Sequence, residues 1–184
     1  QDTVGGTVTL RREAVLREAR IDLMPFLKAR HSIRHFDSRP VDLSLIYQAV
    51  EMAQTTPSVC NRQSSRVRVY TSRDTIRRVL EVQAGSRGFD HEIDKLLVVT
   101  SDRREFVHGG ERNQCWVDGG MYAMSLVYAL HSLGLGTCCL NWSSTREQDK
   151  RLRATVDIPA WEAVLMLIAV GHLPEEFREW IIDC

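Results

Sequence analysis

A chain of 184 residues with 43% hydrophobic and 26% charged side chains has the makeup of a soluble, single-domain globular protein with a real core, and not of a disordered or fibrous one. Its 24 basic and 24 acidic residues cancel, so no global field draws it to nucleic acid or an anionic membrane, and any anion must be held by a local cluster. The longest apolar runs are too short to span a bilayer. The five cysteines, odd in number and without a C-x-x-C pair, read as reduced thiols of a cytoplasmic protein and not as a disulfide framework or a metal site.

In chain order, the first signal is an amphipathic helical lead-in from Thr9 to Ala29, which Pro25 breaks or restarts. The chain opens at Gln1 without a charged-then-apolar leader, and a trimmed chain is one reading of that start. A helix is expected at 42–54, capped by Asp42, with Ile46, Ala49, Val50 and Ala53 as its apolar stripe. "RVRVYT" at 66–71 alternates like a half-buried strand. "SRDTIRRVLEVQ" then reads as a surface helix and "KLLVVTS" at 95–101 as a buried strand. The longest helix signal, Trp116 to Leu133, is apolar on most sides, which suits a domain centre or a subunit interface. "GLG" at 134–136 closes it with a left-handed cap. A short strand "TCCLNW", a helix at 144–156 and the strand "AVLMLIAVG" follow. This order implies a mixed sheet flanked by helices in the α+β class.

Three stretches carry the chemistry. In "ARHSIRHFD" at 29–37, an extended backbone would put Arg30, Ser32 and Arg34 on one face and point Ile33 into the core, giving a grip for phosphate and carbonyl groups. The loop "TTPSVCNRQSSR" at 55–66 offers donors and acceptors from Ser58, Asn61 and Gln63, although a plain turn has the same composition. "GLGTCCLNW" at 134–142 can expose backbone amides to a ligand, but it is not a dinucleotide fingerprint, because no G-x-G-x-x-G opens a helix.

Taken in order, these stretches resemble the FMN-dependent nitroreductase family. "RHSIRHF" at 30–36 matches its arginine-rich opening, "PSVCNRQ" at 57–63 the first half of its Pro-Ser-x-x-Asn-x-Gln-Pro-Trp loop, and Asp118, Gly119 and the later "GLG" its central helix. The resemblance implies a nitroreductase-like α+β fold with a mainly antiparallel sheet, one domain over residues 1–184 with a lead-in at 1–29 and a tail at 172–184, and an intertwined homodimer. It also implies FMN as cofactor and NAD(P)H as electron donor. Such members reduce nitroaromatics, quinones or activated alkenes by a ping-pong hydride cycle and need no dedicated acid or base.

By that resemblance, Arg30 and Ser32 would grip the FMN phosphate and ribityl chain, with His31 beside them, and Arg34 would sit at the electron-rich edge of the ring, where fixed positive charge raises the reduction potential. Pro57, Ser58, Val59, Asn61 and Gln63 would contact the flavin from the loop, with Ser58 reaching across from the partner subunit. Cys139, Leu140, Asn141 and Trp142 would line the N5 edge, and Arg178 stands as the basic residue available to the phosphate from the tail. Two departures are visible. Ser64 and Ser65 replace the family's Pro-Trp, and the tail ends at Cys184, either trimmed or weaker in its phosphate grip. A segment at 102–114 is long enough for a small lid. The alternatives are a non-catalytic flavin-binding or storage protein of the same fold, and a flavin-free domain whose arginine loop binds a phosphorylated partner.

Overall fold

The computed structural model describes residues 8–177, and the chain divides into two compact units, one up to Arg30 and one from His31 onward. The first holds α1 (Arg12–Glu18) and α2 (Leu23–Ala29). Pro25 lies in the first turn of α2, where a backbone amide has no intrahelical acceptor in any case, so a residue that breaks helix interiors is tolerated there. The lead-in expected over 9–29, broken or restarted at Pro25, is two short helices; the break falls at 19–22, ahead of Pro25, and α1 buries none of its side chains.

The second unit runs α3 (Leu43–Ala53), β1 (Ser65–Tyr70), α4 (Arg73–Gln83), β2 (Lys95–Asp102), α5 (Gln114–Ser132), β3 (Leu135–Asn141), α6 (Arg146–Thr155) and β4 (Glu162–His172). The Asp42 carboxylate caps α3 by accepting the Ser44 amide at 2.9 Å. Gly134 takes a positive φ of 77° and turns α5 directly into β3, so Gly136 is already a strand residue.

The four strands form one sheet in the order β1-β2-β4-β3, and every neighbouring pair is antiparallel. The parallel component expected of a mixed sheet is confined to one isolated bridge, Ser32 to Thr137. All eight residues of the central strand β2 are buried, which explains its unbroken apolar run. The period of two sends Leu96, Val98, Leu167 and Ala169 toward α4 and α6, and Leu97, Val99, Ile168 and Val170 toward α3 and α5.

The end of the sheet where β2 finishes is polar though buried. The Arg68 guanidinium grips Glu162 with two hydrogen bonds of 2.6 and 2.9 Å, and the Thr100 hydroxyl donates to the same carboxylate. Burial pushes the Glu162 carboxyl up, but the hydrogen bonds from Arg68 and Thr100 outweigh it and hold the group below the usual carboxylate range.

Candidate functional site

The charged stretch His31–Asp37 is a strap laid over β3 and β4. The Ile33 amide donates to the Thr137 carbonyl at 2.8 Å and the Asp37 amide to the His172 carbonyl at 3.0 Å. Between these points the Phe36 amide donates to the Glu92 carboxylate at 2.9 Å. The two apolar residues of the strap are its plugs: Ile33 and Phe36 are buried, whereas His31, Arg34 and His35 are exposed and Ser32 is half-buried. Their seat is a pair of glycines directly opposite each other across β3 and β4, Gly136 and Gly171. A Cβ on Gly136 would meet Ile33 at 3.2 Å, and one on Gly171 would lie 2.6–2.8 Å from three atoms of Phe36. Only a backbone without side chains lets the strap come this close.

With its plugs seated, the strap presents Arg34 to a pocket of about 270 Å³. Cys138, Cys139, Leu140 and Asn141 of β3 form one wall, and Gln83, Gly85 and Phe89 another. β3 is an edge strand. The Thr137 carbonyl accepts from Ile33 and the Asn141 carbonyl accepts from Gln83 Nε2 at 3.1 Å, so strand alternation turns the backbone of Cys139 to the same edge. The Leu140 side chain instead belongs to the core. Arg34 also donates to the Ser32 carbonyl at 3.3 Å, while His35 turns to Glu92 at 3.4 Å. Gln83, Gly85 and Phe89 were not singled out from the sequence. "QAGSRGF" at 83–89 reads as an ordinary loop, and its one unusual feature, a left-handed Ala84 with φ 60°, leaves no mark in composition.

The loop Pro57–Gln63 is a strained, tightly tied structure. Cys60, Asn61 and Gln63 take positive φ of 48°, 53° and 51°, conformations that cost a non-glycine residue about 1 kcal/mol or more each unless the surroundings enforce them. The enforcement is visible. The Gln63 amide donates to Ser58 Oγ at 2.9 Å, and the Gln63 side chain donates to the Thr56 carbonyl at 3.2 Å and to Asn61 Oδ1 at 2.8 Å. Buried Asp118 accepts the Val59 amide at 3.1 Å and Gln114 Nε2 at 2.8 Å, which ties the loop to the first turns of α5. Gly119 beside it lies against Leu165, with no room for a Cβ. Pro57, Cys60 and Asn61 remain exposed.

The two serines that replace Pro-Trp have structural duties. Ser64 is buried, shares a 3.0 Å hydroxyl contact with Ser101 and accepts the Asp102 amide at 2.9 Å, and Ser65 begins β1. The 102–114 segment folds into two short 3-10 turns. Its Glu111 pairs with Arg62 at 2.8 Å, so this segment packs by the loop, at the β1 side of the sheet.

One chain therefore holds the expected site in separate parts. Arg34 and Cys139–Asn141 meet at the β3 edge. Pro57–Gln63 leads into β1, the opposite edge, three strand spacings or about 14 Å away. Arg30 is the extended C-cap of α2 and closes the first unit. Arg178 lies outside the described residues.

A family model described as the nitroreductase family matches residues 27–87 and 81–172. The chain belongs to this family. A nitroreductase-family relative from Methanothermobacter thermautotrophicus, provisionally named an NADH dehydrogenase/NAD(P)H nitroreductase, is 23% identical over 158 residues, which are 85% of this chain and 80% of that protein. A solved structure from Parabacteroides distasonis with the same provisional name matches with a TM-score of 0.76 at 19% identity, over 89% of this chain and 95% of its own. The FMN-dependent nitroreductase of Clostridium difficile R20291 matches with a TM-score of 0.72 at 20% identity, over 85% and 90%. At these identities the structures establish the nitroreductase fold: an α+β domain whose four-stranded antiparallel sheet is flanked by helices. The strap, the strained loop and the Asp118–Gly119 helix all fall within the matched residues, while α1 precedes them. Among the described residues no helix is long and apolar enough to cross a membrane.

Proposed function

We propose that this chain is an FMN-dependent NAD(P)H oxidoreductase that reduces nitroaromatic, quinone or activated-alkene acceptors as a cytoplasmic homodimer. The observation that carries the reading is the convergence of Arg34 and the end of β3 on one pocket, with the strap held there by the glycine pair. The names of the relatives support the redox chemistry, and the Clostridium difficile neighbour supports FMN.

The residues present suit the cofactor. Arg34 offers a fixed cation with planar donors, and the β3 edge offers backbone groups that a polar ring system can pair with. In this reading His31 and Ser32 hold the phosphate end, and Cys139, Leu140 and Asn141 border the ring. Bound FMN supplies the hydride chemistry that the side chains lack. The protein positions donor and acceptor in turn, and Arg34 places positive charge where electron density accumulates.

The loop residues Pro57, Ser58, Val59, Asn61 and Gln63 sit at the wrong edge to serve the pocket of their own chain, so a second copy supplies them. Exposed Val117 and Met121 on α5 and Tyr47 and Met52 on α3 provide apolar surface for that association.

The test is an absorbance spectrum after adding excess FMN and removing what is unbound, followed by NAD(P)H oxidation with a quinone acceptor. A retained flavin spectrum and parallel lines in double-reciprocal plots are expected. A protein that stays colourless overturns the reading.

A further inference from the structure

β4 outruns β3. Asn141 ends β3 opposite Met166, so among the described residues positions 162–165 of β4 have no strand beside them on that side. A groove of about 730 Å³ opens there, bounded by the start of α5, the segment after β3, and α6. That size suits a ligand larger than a single small ring.

The groove is basic in a chain of zero net charge. Arg103, Arg146, Lys150 and Arg153 line it against two acids, Asp149 and Glu162. Both acids are already neutralised: Arg153 Nε donates to Asp149 at 2.7 Å, and Arg68 grips Glu162. Arg103 is spent on the carbonyls of Ala160 and Trp161, which leave its charge uncompensated. Arg146 and Lys150 stand four residues apart on one side of α6, and neither has a carboxylate partner among the described residues. Unpaired cations at this spacing suit a phosphate or pyrophosphate.

Two indoles share the groove. Trp142 is fixed by donating its ring N–H to Asp149 at 3.2 Å, and Trp116 is 52% exposed. Aromatic planes beside free cations fit a ligand that has both a flat heterocycle and phosphate. The groove also starts at Trp142, the residue after Asn141, which lines the Arg34 pocket. A long ligand with its reacting end at Asn141 reaches the groove with its other end.

We propose that this groove holds the adenosine-phosphate half of the pyridine dinucleotide, with Arg146 and Lys150 on phosphate and Trp116 and Trp142 against the base. The assignment rests on the hydride-donor reading above, but its test does not require turnover.

Calorimetric titration of the purified protein with ADP and with adenosine 2′,5′-bisphosphate, with and without added FMN, reads the site directly. Saturable binding of at least one nucleotide is expected, weakened about tenfold in Arg146→Ala/Lys150→Ala through loss of charge-assisted hydrogen bonds, and weakened by added salt. Trp116→Ala, at a half-exposed position, should also weaken it. If neither nucleotide binds, or if the double variant melts like the parent and binds as tightly, the assignment fails. A colourless protein that binds nucleotide through these residues keeps the groove and sinks the redox reading, whereas a flavin-loaded protein that binds neither does the reverse.

Discussion

Replacing Gly171 with alanine tests the seat of the strap. The new Cβ would lie 2.6, 2.7 and 2.8 Å from Cδ1, Cγ and Cβ of Phe36, where carbon atoms normally approach to about 3.5–4.0 Å. Ring rotation can clear the first contact but not the last, because the Phe36 Cβ is fixed to a backbone tied to Glu92 and His172. The strap has to lift. Overpacking of this kind costs about 1–3 kcal/mol, and full exposure of the Phe36 ring sets a similar upper bound of about 3 kcal/mol. For a chain of this size, a loss of about 2 kcal/mol lowers the melting temperature by about 4–8 °C. The comparison is Gly120→Ala in α5, where a Cβ meets nothing of its own chain within 4 Å and the helix should gain about 0.5–1 kcal/mol, read on the monomer carrying Val117→Glu and Met121→Glu so that the proposed dimer face does not enter. Thermal and urea denaturation of both variants measure the difference, and FMN retention by Gly171→Ala should fall as Arg34 is displaced. A Gly171→Ala protein that melts at or above the parental temperature would refute the notch.

Other outcomes follow from the same geometry. Glu162 has its carboxyl held low in the fold, so its contribution is present above the ordinary Glu value of about 4.3 and is lost as pH falls through the lower folded value; Glu162→Gln should flatten the acid limb of a stability-against-pH curve. Asp118→Ala removes the acceptor of the Val59 amide and should cost about 1–3 kcal/mol in chemical denaturation. Arg34→Ala should lower FMN occupancy and make the flavin potential more negative, and an unchanged potential in spectroelectrochemistry would remove the role given to that residue. Under the proposed dimer, Val117→Glu combined with Met121→Glu places charge on the exposed face of α5 and should yield monomers by light scattering with diminished flavin binding; a parent protein that is itself monomeric would remove the dimer from the reading.

Much of the fold was legible because local rules agreed with the tertiary outcome. The Asp42 cap, the buried run of β2, the glycine stop after α5 and the β/α alternation each follow from propensity and period. The candidate site was legible only as three motifs. Arg34 and Cys139–Asn141 are more than 100 residues apart, and nothing local says that they share a pocket with Gln83. Nor does the sequence show that Gly136 and Gly171 face each other, since cross-strand register is a property of the assembled sheet.

By itself the sequence determined most of the segments that become helices and strands, that Ile33 points into the core, which residues are charged, and which family the motifs resemble, because these depend on composition and on spacing of a few residues. The resemblance already implied a mainly antiparallel sheet, but only the tertiary structure decided the strand order β1-β2-β4-β3, and that order puts the Arg34 pocket and the Pro57–Gln63 loop on opposite edges. It also gathered two tryptophans with Arg146 and Lys150, which have no carboxylate partner among the described residues, into one groove beyond the end of β3. Long-range pairing has no local signature. It is chosen by which apolar faces can be buried together, and the sites come with it.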